Sequence, residues 1–243
     1  MRYRIDFSYD GTNFNGYQLQ PNLRTIQNEL EKAVSYLNRQ TYTTVQSSGR
    51  TDKGVHAINQ VAHFDLGVSI PIYKIKRGLN SNLPADIHII NVKLVSDHFH
   101  ARFSAKKKEY VYKINIKEYN PMMRNYIYQY NKPLNIAAMK EAIHFFEGTH
   151  DFTSFVSSED ERENKVRTIF KTNIKEKNGI IEITFQADGF MKYQVRNMVG
   201  LLLYVGSGKK EVKEVHNIID AKDRTKSVKT APPEGLYLKK VWY

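Results

Sequence analysis

One stretch of the chain has the residue types and spacing for acid–base or nucleophilic chemistry: Ser47-Ser48-Gly49-Arg50-Thr51-Asp52-Lys53-Gly54-Val55-His56-Ala57. Its single carboxylate, Asp52, lies between two cations, Arg50 and Lys53, which favour the ionised form. Gly49 and Gly54 bracket it, suiting tight turns and the close approach of another backbone or a ligand. A carboxylate on a loop held between two strands is a common setting for catalysis. Taken alone, Asp-Lys-Gly is also an ordinary solvated turn. A second oddity is Arg196 within Val195-Arg196-Asn197-Met198-Val199-Gly200-Leu201-Leu202-Leu203, a helix apolar on nearly every side and so expected to be buried. A guanidinium in such a helix either runs along its stem to the surface or needs a carboxylate partner. Asp52 would be that partner, kept ionised and oriented by it.

Other constellations fall away. His98-Phe99-His100 has no third ligand at metal-site spacing, so no metal site is expected. Gly206-Ser207-Gly208-Lys209-Lys210 lacks the phosphate-loop spacing and follows a helix, so it reads as a helix C-terminus. No dinucleotide fingerprint, Ser-His-Asp arrangement or carboxylate pair can be argued from spacing.

The 243 residues suffice for one large domain or two small ones, and 41% hydrophobic content supports packed cores. Cysteine is absent, excluding disulfides, thiolate nucleophiles and cysteine-based zinc sites. No apolar run has the length of a membrane span and no signal-peptide core opens the chain, so a cytoplasmic protein without a membrane partner is expected. Thirty-seven Lys and Arg against 25 Asp and Glu give a formal charge of +12, which favours a polyanionic partner, nucleic acid first. Basic clusters at Lys74, Lys76 and Arg77, at Lys106-Lys107-Lys108, and from Lys222 through Arg224, Lys226 and Lys229 suit phosphate contacts together, although each alone is an ordinary solvated face.

Period-two alternation predicts strands at 2–9, near 41–47 and 59–66, at 87–92, 108–117, 167–176, 180–187 and 235–243. Helical spacing predicts helices from the Thr25 cap through Leu37, after Pro71 through Leu79, through Ile136, Met139, Ile143 and Phe146, from Tyr193 to Val205, and over 211–219. Asn178-Gly179 signals a hairpin turn. The order β-α-β-β-α-β is read twice, giving an α+β fold of two βαββαβ (RRM- or ferredoxin-like) halves. The expected domains are 1–100, carrying the Asp52 loop, and 101–243, with the boundary near 97–105.

Several motifs, in order along nearly the whole chain, carry a more specific signal. They are Tyr9-Asp10-Gly11-Thr12-Asn13-Phe14-Asn15-Gly16-Tyr17-Gln18; Gly49 to Ala57 with Gln60-Val61-Ala62-His63-Phe64; Ala101-Arg102-Phe103-Ser104-Ala105 with Lys108 and Tyr110; His150-Asp151-Phe152-Thr153-Ser154-Phe155; Arg167-Thr168-Ile169; Val195 to Gly200; and Ala231-Pro232-Pro233-Glu234-Gly235-Leu236. On these the chain resembles the bacterial tRNA pseudouridine synthase A (TruA) family. Tyr17 departs from the family's usual Trp, and Lys192-Tyr193-Gln194 is atypical.

The resemblance implies an isomerase converting uridine to pseudouridine at positions 38, 39 and 40 of the tRNA anticodon stem-loop, with no cofactor, no metal, no DNA partner and a homodimeric state. It implies the pseudouridine synthase fold, in which both halves form a continuous antiparallel sheet with flanking helices and the active cleft lies between the two domains. Asp52 falls on the catalytic aspartate. Arg50 falls on the arginine that assists base flipping, Tyr110 on the tyrosine stacking against the target base, and Arg196 on the basic residue paired with the aspartate. Lys53 adds a substrate-binding cation. Asp52 would act as nucleophile at ribose C1′ or as base toward a ribose proton, two routes the sequence leaves open. Two other readings use the same features: a non-catalytic RNA-binding protein of tandem RRM-like units, against which stands the lack of an RNP1 motif, and a hydrolytic N-glycosidase.

Overall fold

A computed structural model describes all 243 residues. The chain is mixed α+β, with mostly antiparallel strands, and separates into two compact units: Met1–Lys106 together with Tyr237–Tyr243, and Lys107–Leu236. The C-terminal strand thus belongs with the first unit, whereas its place in the sequence suggested the second half. Pairing partners this distant in sequence leave no local signature.

The first unit contains β1 (Arg2–Tyr9), α1 (Ile26–Leu37), β2 (Gln46–Ser47), β3 (His56–Asp65), α2 (Ile72–Asn82) and β4 (Ile87–Leu94). Its strands run β4-β1-β3, with β2 added antiparallel on β3 and the final strand parallel to β3 through Tyr237 opposite His56. That parallel pair departs from the all-antiparallel expectation. The order β-α-β-β-α-β holds here. Thr25 caps α1 through its hydroxyl, which accepts from the Asn28 amide, satisfying an otherwise orphaned N–H. Ile26, Leu30 and Val34 bury the face of α1 that the spacing marks, while Ile75 and Leu79 do the same for α2. The strand expected over 41–47 is only Gln46–Ser47. Residues 41–45 are instead tied to α1, where the buried Glu31 carboxylate accepts from the Val45 amide and the Tyr42 hydroxyl. β3 starts three residues earlier than its alternation suggests, at His56, because it is buried almost throughout and loses the polar-out signal.

The second unit contains β5 (Lys107–Asn115), β6 (Tyr128–Gln129), α3 (Ile136–Ile143), β7 (Gly148–Asp151), β8 (Val166–Lys177), β9 (Ile180–Ala187), α4 (Gln194–Gly206) and α5 (Glu214–Ala221); β10 (Leu236–Trp242) leads out of it. Its strands run β5-β9-β8-β7, with β6 parallel to β5. The two short strands β6 and β7 break the simple repeat, being too short to show periodicity. Asn178 and Gly179 both take positive φ, 55° and 81°, which makes the expected tight hairpin between β8 and β9. α4 is buried on almost every side, as its composition demands. Gly200 lets the segment after α5 cross it closely: a Cβ there would lie 2.2 Å from the Lys229 carbonyl oxygen.

Gly200→Ala therefore forces α4 and the 229–231 segment apart. Urea denaturation should show a loss of about 1–3 kcal/mol, the range for overpacking a tight site. In the first unit, burial presses His63 down to about 4, so it folds neutral. Between about pH 6.5 and 4 the unfolded chain takes up a proton that the native chain does not, so stability falls as pH drops through that window and levels below it. His63→Asn, which keeps an acceptor, should flatten that part of the profile in denaturation midpoints measured from pH 7 to 4.

Candidate active site

The Asp52 loop joins β2 to β3 and is anchored at both ends and from beneath. At its start, buried Ser48 donates its amide to the Val61 carbonyl (2.7 Å) and its hydroxyl to Gln60 Oε1 (2.6 Å). The Gln60 amide then donates to the Gly49 carbonyl at 3.0 Å. Gln60 and Ser48 are both 0% exposed, so these bonds replace solvation that neither group can otherwise obtain. At the far end the Val55 amide donates to the Asp52 carbonyl (3.1 Å), closing a turn through Gly54 at φ 78°.

From beneath comes the Tyr9–Tyr17 segment. The β1–β3 register slips between Phe7 and Tyr9, an irregularity of the kind that re-aims a strand end beside a site. Tyr9 then reaches Thr51, hydroxyl to hydroxyl, at 2.8 Å in a buried position. Burial pushes the Tyr9 phenol up to about 12, so it stays protonated. The Tyr17 amide donates to the Thr51 carbonyl at 3.0 Å. Gly16, at φ 90°, brings its Cα so close that a Cβ would stand 3.1 Å from the Thr51 oxygen and 3.3 Å from the Lys53 nitrogen. Gly11 is tighter still, a Cβ falling 2.1 Å from the Val55 oxygen, and its amide donates to His56 Nδ1 at 3.0 Å. The peptide planes on both sides of Asp52 are thereby fixed. Its side chain is half-buried, Arg50 and Lys53 are exposed, and the three share this one loop.

The remaining candidates lie in the second unit. Tyr110 is buried on β5 opposite Phe185, its ring meeting Phe190 edge-on at 5.1 Å. Arg196 is half-buried, between the two expected placements of a guanidinium on an apolar helix. Its Nε donates to the Ala231 carbonyl (2.8 Å), its own carbonyl accepts from the Ala231 amide (3.1 Å), and its guanidinium carbon lies 5.1 Å from the Tyr193 ring centre. Tyr193 adopts φ 65° to place that ring. Such a backbone costs a bulky residue about 1–3 kcal/mol and is found where a site requires it. The atypical Lys192-Tyr193-Gln194 run is thus the strained entry to the Arg196 helix.

Sequence reasoning missed the supporting residues Tyr9, Gly11, Gly16, Thr51, Ser48 and Gln60. All six lie within the stretches quoted above, Ser48 and Thr51 beside Asp52 and Tyr9, Gly11, Gly16 and Gln60 in the motifs, but no supporting role was read for any of them. No group of three or more His, Asp or Glu side chains could hold a metal ion, and no helix is long and apolar enough to cross a membrane.

A carboxylate between exposed cations on a clamped loop, in a chain of charge +12, suits an enzyme working on a polyanion. Comparison with known proteins gives the kind. A model of the tRNA pseudouridine synthase family matches residues 7–104 and 142–243, and the chain belongs to that family. It is 46% identical to the tRNA pseudouridine synthase A of Geobacillus sp. strain WCH70 over 100% of this chain and 98% of that protein. It is likewise 46% identical to that of Streptococcus thermophilus strain CNRZ 1066, covering 99% of that protein, and 44% identical to that of Ligilactobacillus salivarius strain UCC118, covering 96%.

Tyr9→Phe removes the hydroxyl that pairs with buried Thr51. It should destabilise the fold by about 1–1.5 kcal/mol in urea titrations. The loss of activity should fall on the rate at saturating tRNA more than on tRNA affinity, since the loop that Tyr9 braces carries Asp52.

Proposed function

We propose that the chain isomerises uridine to pseudouridine at positions 38, 39 and 40 of the tRNA anticodon stem-loop, with Asp52 as the catalytic carboxylate. Arg50, Lys53, Tyr110 and Arg196 are its substrate-binding residues. The family membership already makes it a tRNA pseudouridine synthase, an isomerase. The observation that best supports Asp52 is the six-residue brace of its loop, which fixes the backbone on both sides while leaving the carboxylate half exposed.

The reaction is an internal exchange. The N1–C1′ bond breaks, the uracil turns over without leaving, C5 bonds to C1′, C5 loses its proton and N1 gains one. Nothing is oxidised or reduced, so the work is to extrude the nucleotide, hold it and provide an anion at the ribose. Extrusion costs about a few kcal/mol. Basic residues on phosphates offset it while Arg50 assists the flip and Arg196 pairs with Asp52, and stacking on Tyr110 is worth about 1–3 kcal/mol. Asp52 then attacks C1′ or takes a ribose proton; both routes need it ionised, and the adjoining cations keep that form favoured. The homodimeric state rests on the resemblance alone.

Carbodiimide mapping tests the reading: tRNA incubated with the protein should give reverse-transcription stops confined to positions 38–40. Stops elsewhere would sink the site assignment, and free uracil with abasic RNA would make the protein a hydrolase. Asp52→Asn should lower turnover by about 10²–10⁴-fold or more while tRNA affinity stays within a few-fold. Unchanged turnover in that variant would remove Asp52 from the catalytic role, whereas native protein that binds tRNA and forms no pseudouridine would be only a binding protein.

A further inference from the structure

We propose that the turn Ala101–Ser104 is a platform on which Phe103 stacks an unpaired base of the tRNA, other than the uridine under reaction, with Arg102 on the neighbouring phosphate. The proposal deepens the tRNA reading above and rests on it. Phe103 is 76% exposed, the most open aromatic of the chain's large exposed side chains. One of its faces is already covered: its ring centre lies 4.3 Å from that of His100, at 34°. The Arg102 guanidinium carbon stands 5.7 Å from the same ring.

The turn beneath is fully tied. His100 Nδ1 accepts from the Arg102 and Phe103 amides (3.1 and 3.3 Å), which leaves Nε2 as the donor to Gln46 Oε1 at 2.7 Å. The His100 amide donates to the Ser104 hydroxyl, and the Ser104 amide donates back to the His100 carbonyl. The Ala101 amide donates to buried His63 Nδ1, and the Ala101 carbonyl accepts from the Tyr243 hydroxyl at 2.8 Å. An exposed Phe on a loose loop would be an ordinary surface accident. Here two histidines, a glutamine, a serine and a tyrosine hold it outward with a cation beside it. A flat apolar face flanked by an arginine is how proteins receive single-stranded nucleotides.

The turn is mounted on Gln46 and His63, near the C-terminal end of β3, while the Asp52 loop precedes the first residue of that strand. Phe103 therefore serves binding and not bond-making.

The test measures tRNA affinity and pseudouridine formation for full-length protein carrying F103A, F103L, F103W or R102A, each first checked by thermal denaturation. F103A and F103L should bind roughly 5- to 100-fold more weakly, with KM affected more than kcat, and F103W should restore affinity. R102A should lower the slope of log K against log salt by about one, while F103A leaves that slope unchanged. F103L binding like the native protein would overturn stacking. So would a change in oligomeric mass by light scattering for F103A with tRNA affinity intact, which would mark a protein contact. If the native protein forms no pseudouridine in tRNA, the underlying reading fails instead, and that outcome is distinct from any of these.

Discussion

The first unit is built around a backbone-to-backbone approach that only glycine permits. Gly11 presses against Val55 at a distance no Cβ could occupy, Gly16 packs tightly on residues 51–53 at a positive φ, and the Tyr17 amide and Tyr9 hydroxyl both bond Thr51. Everything near the loop follows. The slip between Phe7 and Tyr9 turns β1 toward Thr51, and Tyr17, 2% exposed, seals the space between the strand end and the loop. A positioned carboxylate gains rate because its orientation need not be found afresh in each encounter. The fixed part is the main chain, which leaves the Asp52 side chain available to a substrate.

In the second unit the same problem is met differently. Arg196 is placed by a helix end under strain, with Tyr193 in the left-handed region and the Ala231 peptide bonded to Arg196 through both its groups. Gly200 admits the Lys229 carbonyl and so brings the 229–231 segment close to α4. Arg224 continues the theme: its guanidinium reaches Asn197 Oδ1, Thr230 Oγ1 and the Val228 carbonyl, and burial lowers its pKa. A guanidinium surrounded by neutral acceptors is oriented without its charge being cancelled.

How much of this the sequence disclosed depended on whether the signal was local. α1 was legible from the Thr25 cap and its apolar stripe, and the β8–β9 hairpin from Asn178-Gly179, because each is decided within a dozen residues. β2 shrank to Gln46–Ser47 because the preceding residues bond to Glu31, fourteen positions back from Val45, and β10 pairs with β3 across some 180 residues. Neither leaves a mark in alternation. Asp52 stood out by its neighbours, yet the residues bracing it did not. A tyrosine that bonds a threonine forty-two positions away is, in sequence, only another strand aromatic. Arg196 was found by its discord with an apolar helix, but its depth was left open, because Tyr193 and Ala231 lie at the helix mouth, where a composition window sees only the interior.

An isomerisation that keeps all its atoms shifts the burden of catalysis from reagents to geometry, and the distribution of buried polar groups agrees. Ser48, Thr51, His56 and Gln60 are all below 8% exposed, a costly concentration of polar atoms for one short stretch. Thr51 bonds Tyr9, Ser48 bonds Gln60, and Gln60 bonds Gly49, so these groups tie the loop to the strands beside it. An apolar core of equal volume would hold the strands together as well, but it would let the loop slide. Directional bonds at 2.6–3.0 Å define where the peptide must sit. The polar cluster therefore secures the backbone that carries the Asp52 carboxylate.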